Sequence, residues 1–408
     1  MTFSFTLFFL LAPGWLLDPG CSGEGALLER EAWVMGTRLR VSVTPMPPSS
    51  GASQGLEGAM GVSEGIVREV ERLERLMSTW DPHSEMSRFN GTTPGISVPV
   101  TSELAGILQE TLAWVEPTEG AFDPAVGALV DVWGLRGRGK IPSPSALSAA
   151  RAASGKDLFR LQFPTHAMDG GPGDASPSLI RRSGEAWIDT GAFGKGLALR
   201  EAARTTGAYR GRIMMDLGGQ VWASAPDSCP WEISVAHPLY RREPLFSLLL
   251  AGHSAATSGF SERWVKGEGE RLGHILDPRT GKPAPAWGSV TVVSPDPLTA
   301  DIVSTALYVM GPDQGMGWSE RHPHLGILFL EPCGGEVRAT WNASMAKHLS
   351  QPPPHGLPKP GPPGVTDLPA PATWFAAVIP GNGATHSSEG TTPTGSCAEQ
   401  RLQGSELQ

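Results

Sequence analysis

The apolar residues of this chain recur at two different periods in alternation, and that alternation constrains the fold more than any other feature. Spacings of three and four run through 62–77, where Ile66, Val67, Val70, Leu73, Leu76 and Met77 share one helical face, and again through 102–115 and 298–310. Short β-branched or alternating runs at 38–43, 289–293 and 325–330 predict strands. Glycine-rich joints separate the two kinds of segment, so the chain is expected to be an α+β protein rather than a helical bundle or a closed barrel. No internal repeat interrupts this order.

The flanks read differently from the body. Residues 351–408 hold 11 prolines and a Gly/Ser/Thr-rich end. Such a composition cannot bury enough surface to offset a chain entropy of roughly 1 to 2 kcal/mol per residue, so a disordered tail is expected, with only Trp374, Phe375 and residues 378–380 offering anything to pack. A long surface loop is predicted at 167–178. At the other end Phe3, Phe5, Leu7, Phe8, Phe9, Leu10, Leu11 and Ala12 form an apolar stretch that runs to Gly20-Cys21. That segment is similar to a bacterial lipoprotein signal, although no Lys or Arg precedes it and Asp18-Pro19 stands where small apolar residues are usual. The predicted organisation is a signal or lipoprotein-type segment at 1–21, a folded body at 27–350 and a tail at 351–408. The chain is expected to be exported, on the periplasmic side of the inner membrane, with lipid anchoring through Cys21 left open.

Charge narrows the partners: 32 Lys+Arg against 41 Asp+Glu give a net −9, which argues against a phosphate-binding nucleic-acid face. The remaining cysteines, Cys229, Cys333 and Cys397, lack zinc-type spacing and indicate no disulfide framework.

Two segments carry chemistry. In Trp187 through Gly196 a short strand enters a glycine-punctuated turn, with Asp189 at its start and Lys195 near its end, and then a helix. Glycines permit close approach of a phosphate, a helix N-terminus favours negative charge, and Lys195 adds a cation. The segment is neither a Walker A loop nor a GxGxxG fingerprint. The second is Ala300 through Thr305 at the head of an apolar helix, where Asp301 and Thr305, four apart, project from one face and suit a hard cation such as Mg²⁺. Each segment alone also reads as ordinary turn or cap chemistry.

Taken in order, Met35-Gly36-Thr37, Ser87 to Asn90, Phe122-Asp123-Pro124, His274 to Gly281 and Ala300 to Leu307 resemble the ApbE family of flavin transferases, the FAD:protein FMN transferases, over about 33–330. The resemblance implies a two-lobed, T-fold-like α+β body around an FAD cleft, with Mg²⁺ at the pyrophosphate. It implies transfer of FMN from FAD to a Thr or Ser hydroxyl of a partner redox protein, with AMP leaving. By motif, the Ala192 carbonyl, Asp301 and Thr305 match the metal ligands. Asp189 and Lys195 match positions touching FAD, Met35 and Trp80 positions against the flavin, Ala121-Phe122-Asp123 a binding turn, and His274 and Leu276 the segment beside the diphosphate. Asp301, Thr305, Lys195 and His274 are the expected catalytic set. The chain departs from the family at Thr190-Gly191-Ala192 and at Phe193-Gly194, where Phe193 is expected to narrow the loop. The same residues also fit an FAD pyrophosphatase or a non-catalytic exported flavin binder.

Overall fold

The computed structural model describes residues 27–45, 55–163, 176–207, 209–226, 228–260, 264–267, 270–350 and 374–380. The expected signal segment, Cys21, most of the predicted surface loop and the rest of the tail lie outside these residues.

A nine-stranded antiparallel sheet forms the spine, in the spatial order 28–34, 37–43, 213–217, 220–224, 253–259, 289–294, 326–333, 336–342, 374–380. Three long helices supply most of its apolar cover: α1 (Leu56–Met77), α6 (Gly194–Thr205) and α7 (Pro297–Ser319). Between α1 and α6 run the shorter α2 (Glu85–Asn90), α3 (Ser102–Leu112), α4 (Gly127–Val132) and α5 (Pro144–Ala152). The predicted helices and strands are all present, and the interleaved periods resolve into the expected α+β body.

Each long helix follows from its sequence. In α1 the three-and-four spacing buries Ile66, Val67, Val70, Leu73 and Met77 against the sheet. In α7 Asp296 caps the start by accepting from the Thr299 amide, and Pro297 occupies the first turn, where its missing N–H costs nothing. The helix then kinks where Gly311 takes φ 75° ahead of Pro312, and it continues nine residues past Met310 in a second helical piece. The principal core joins α1, α6 and α7 to the sheet through Leu39, Val41, Phe193, Leu197, Leu298, Ile302 and Phe329.

Beside this core, a three-stranded sheet (97–99, 178–181, 159–162) packs with α2 and α3 around Phe89, Leu104 and Ile188. A further cluster joins α4 and α5 to Leu276. On the far half of the sheet the hairpin 231–236/244–250 covers Leu328, Leu330 and Trp341.

Two expectations need correction. Trp374–Pro380 pairs with Glu336–Asn342 as the edge strand of the large sheet, so that stretch of the tail is folded; its four β-forming residues, Trp374, Phe375, Val378 and Ile379, lie in a segment that finds an open ladder there, which composition averaged over 58 residues conceals. Cys229 and Cys333 are both disulfide-bonded, although their spacing announced no framework; bridging depends on distance in space, which spacing does not encode.

Candidate active site

The segment 187–196 emerges from the small core and runs into α6. Ile188 is locked by a two-way bond with Asn90, whose Nδ2 donates to the Ile188 carbonyl while the Ile188 amide donates to its Oδ1, both at 2.9 Å. The Asp189 amide donates to the Pro124 carbonyl. The Ser87–Asn90 and Phe122–Pro124 motifs, distant in sequence, therefore serve one purpose: they hold the entry to the loop.

At the loop's exit, Asp301 of α7 meets the N-terminus of α6. Its Oδ1 lies 3.1 Å from the Lys195 ammonium and its Oδ2 accepts from the Gly196 amide at 2.8 Å. The carboxylate caps one of the orphan amides of α6 from another helix and lies at the positive end of that helix's dipole. It is 3% exposed. The approach depends on Gly196: a Cβ there would stand 2.5 Å from the Pro297 carbonyl oxygen and 2.7 Å from the Asp301 Cβ. Gly196 belongs to the glycine-punctuated turn, and its geometric reason is the crossing of α6 and α7.

One turn on, the Thr305 hydroxyl donates to the Asp301 backbone carbonyl at 3.1 Å, which leaves its lone pairs free to accept or to ligate. Ser304 donates to the same carbonyl and pairs with Ser258 at 3.0 Å. Gln220, 2% exposed, donates its amide to the Pro297 carbonyl, while its Oε1 has no partner among the described residues. The expected metal ligands, Asp301, Thr305 and the Ala192 carbonyl, are all oxygen donors with one negative charge among them, the chemistry Mg²⁺ takes; Asp301 and Thr305 lie one turn apart on α7, and a cation there would share the Asp301 carboxylate with Lys195 and the Gly196 amide. Among the described residues no three His, Cys, Asp or Glu side chains gather into a metal cluster. The candidate set is of a different type, one carboxylate with neutral oxygens.

Met35 is the second residue brought to this loop. It occupies the two-residue hairpin turn Met35-Gly36 with φ 52°, a left-handed conformation costly for a non-glycine residue, and its amide donates to Glu74 Oε1 at 2.8 Å. A Cβ on Gly194 would come within 3.3 Å of the Met35 Cε, so the thioether lies over the start of α6.

Asp189 and Trp80 are linked through Arg136. Burial raises its carboxyl above the ordinary aspartate range, and the Arg136 guanidinium, 3.5 Å away, works in the opposite direction. Trp80 is 70% exposed, with Arg136 against its ring at 4.7 Å.

The remaining predicted residues are placed as follows. Ala121 and Phe122 are fully buried in the principal core, so the Phe122 ring packs the interior and offers no exposed face to a ligand. Asp123 is also engaged internally: its carboxylate accepts from the Ala125 and Lys156 amides, and burial raises its pKa. Leu276 packs into the cluster with Leu129 and Trp133, and half-buried His274 precedes it by two residues. Phe193 is turned wholly into the core. The aromatic ring therefore does not narrow the outer face of the loop, contrary to expectation, because a buried aromatic just ahead of the first turn anchors α6 from below. Arg136 and Glu74 escaped the sequence reading, since a lone cation in a glycine-rich run and a glutamate on a helix carry no spacing signal.

Comparison with known proteins agrees with this layout. The family model for the ApbE family matches residues 35–329, and the chain belongs to that family. A Vibrio cholerae protein named FAD:protein FMN transferase is 27% identical over 346 residues, spanning 82% of this chain and 97% of its own length. An Escherichia coli protein of the same name is 28% identical over 292 residues, spanning 70% and 78%. Among solved structures, the flavin transferase ApbE from Vibrio cholerae superposes with a TM-score of 0.66 at 25% identity, covering 80% of this chain and all of the other. The ApbE protein from Thermotoga maritima gives 0.64 at 28% identity, covering 75% and 94%.

Proposed function

We propose that this FAD:protein FMN transferase moves the FMN half of FAD onto a Thr or Ser hydroxyl of a partner redox protein, with AMP as leaving group and Mg²⁺ held by Asp301, Thr305 and the Ala192 carbonyl. The observation that carries the reading is the meeting of Asp301, Lys195 and the α6 N-terminus within about one hydrogen-bond length. A nucleotide diphosphate needs fixed positive charge on its oxygens, and Lys195 with the α6 N-terminus, held in place by Asp301, supplies it at this corner. In the reaction an acceptor hydroxyl oxygen bonds to the FMN phosphorus, the bond from that phosphorus to the AMP oxygen breaks, and the hydroxyl proton leaves.

Bound Mg²⁺ would supply charge neutralisation for the phosphate oxygens. The protein's own residues do the positioning. Asp301 fixes Lys195, Gly196 presents the helix terminus, and the Met35 turn closes one side of the loop. Asp301 is poorly placed as general base, because both of its oxygens are already engaged. Export to an oxidising compartment is part of the proposal; the disulfide-bonded Cys229 and Cys333 support it, since such bonds persist mainly outside the reducing cytosol.

The test is product analysis. Purified protein is incubated with FAD and Mg²⁺, with and without an acceptor carrying an Asp-Gly-x-Thr-x-Thr site, and nucleotides are separated by chromatography. AMP release that requires the acceptor, with no free FMN, is the expected result. Equal AMP and free FMN without acceptor would replace transfer by hydrolysis.

A further inference from the structure

Arg136 lies in the glycine-rich run after α4, and every group it touches borders the site. Its Nη1 donates to the Thr79 carbonyl at 2.8 Å and its Nη2 to the Thr79 hydroxyl at 2.5 Å, while Asp189 Oδ1 stands 3.5 Å from the same Nη2. The guanidinium packs over two indoles, Trp80 at 4.7 Å and Trp187 at 4.1 Å. Trp187 is itself fixed: its Nε1 donates to Asp131 Oδ2 at 2.8 Å, and its ring fills the space where a Cβ on Gly127 would lie 2.0 Å away. The result is a layered stack, from the backbone of α4 through Trp187 and Arg136 to Trp80. Trp80 is the outer layer, and with 70% of its surface open it retains a free aromatic face.

A solvent-exposed indole with no support would rotate; this one is backed by a planar cation that is pinned to the residue just before it. From this geometry we propose that Arg136 is a positioning residue for the flavin. It holds Trp80 as a rigid plate against which the flat ring system of FAD stacks, and through Asp189 it ties that plate to the loop presenting Ala192. The proposal rests on the flavin-transfer reading above. Lysine would not substitute, because a point ammonium neither stacks flat on an indole nor spans Thr79 and Asp189 with separate N–H groups.

The consequence is selective. Arg136 bears on the ring end of the ligand, its contacts among the described residues being Thr79, Asp189, Trp80 and Trp187, so its loss should weaken ligands that carry the isoalloxazine and leave a bare diphosphate nucleotide alone. The experiment titrates the full chain and its Arg136→Lys and Arg136→Leu variants with FAD and with ADP in Mg²⁺, following tryptophan fluorescence quenching and calorimetry, together with steady-state FMN transfer. Both variants are expected to bind FAD about tenfold more weakly, a loss on the scale of a stacked cation–π pair with its charged hydrogen bonds. ADP affinity should stay within about twofold, and KM for FAD should rise far more than kcat falls. Thermal unfolding without ligand identifies any variant that fails to fold, and Arg136→Lys, which keeps charge and bulk, carries the test if Arg136→Leu does not fold. Wild-type affinity for FAD in folded Arg136→Lys, or an equal loss for ADP, overturns the proposal. Failure of the unmodified protein to bind FAD overturns the flavin reading instead.

Discussion

The crossing of α6 and α7 at Gly196 lends itself to a worked prediction. Gly196→Ala would place a methyl 2.5 Å from the Pro297 carbonyl oxygen, 2.7 Å from the Asp301 Cβ and 2.9 Å from the Leu298 Cα. Two of these atoms are backbone and the third is the first atom of a short side chain, so none moves without moving α7. Restoring ordinary contact requires the helices to part by close to 1 Å. Overpacking of this kind costs about 1–3 kcal/mol and at times more, while alanine's helix preference over glycine returns about 1 kcal/mol. The difference is a net loss of up to about 2 kcal/mol, which lowers Tm by about 3 °C in a body of roughly 300 residues unfolding with about 2.1 cal/mol/K per residue. The same shift lengthens the Lys195–Asp301 and Gly196–Asp301 contacts, so transfer activity should fall by at least tenfold, more than stability alone would dictate. Calorimetric unfolding and an FMN-transfer assay at a temperature where both proteins are folded supply the two numbers. Gly61→Ala is the control: it is helical, its Cβ meets nothing within 4 Å, and it should stabilise by about 0.5–1 kcal/mol without touching activity. A Gly196→Ala protein with unchanged Tm and full activity would refute the reasoning.

Further outcomes are expected elsewhere in the site. Thr305→Val removes a hydroxyl that, among the described residues, bonds the carbonyl four residues earlier, so unfolding free energy should change by about 1 kcal/mol or less while Mg²⁺-dependent turnover drops by about tenfold or more, read by denaturant titration and by kinetics at varied Mg²⁺. Chelation of divalent ions should abolish transfer, with activity restored on adding Mg²⁺ back; undiminished turnover in chelator would remove the metal from the account. Burial raises the carboxyl pKa of both Asp189 and Asp123, so protonation is favoured in the folded state. Their contribution is then most favourable below the unfolded aspartate value of 3.8 and diminishes as pH rises through the higher folded values. Asp189→Asn should flatten that acid-side slope in urea unfolding curves measured as a function of pH; a steeper slope contradicts the assignment.

Legibility in the sequence divided along physical lines. Elements set by local pattern were readable: the three-and-four spacing of Ile66 to Met77, the alternating run at 38–43 and the apolar residues from Leu298 each became the predicted element. The pairing of Asp301 with the Lys195 loop was legible only through the ordered motifs, since the two are separated by more than a hundred residues and nothing local joins them. What could not be read was the direction of individual side chains. Phe122 and Phe193 look alike in sequence to an exposed stacking ring such as Trp80, yet both fill the core, because burial depends on what the fold brings above them. The glycine at 196 was visible, but a phosphate loop and a tight helix crossing demand the same residue for different reasons. The strand at Trp374–Pro380 was hidden by its neighbours' composition, its pairing partner being 38 residues upstream. A cavity of about 840 Å³ along α1, beside Gly61, Arg68 and Arg72, includes none of the site residues.

The most direct measurement of the central claim is intact-mass analysis of an acceptor protein bearing an Asp-Gly-x-Thr-x-Thr site after incubation with the enzyme, FAD and Mg²⁺. The account predicts an adduct of FMN mass on the hydroxyl residue with the unmodified enzyme and none with Asp301→Ala, which removes the one carboxylate that both Lys195 and the α6 terminus address. An acceptor that stays unmodified with the unmodified enzyme, or an adduct that forms equally well with Asp301→Ala, would contradict it.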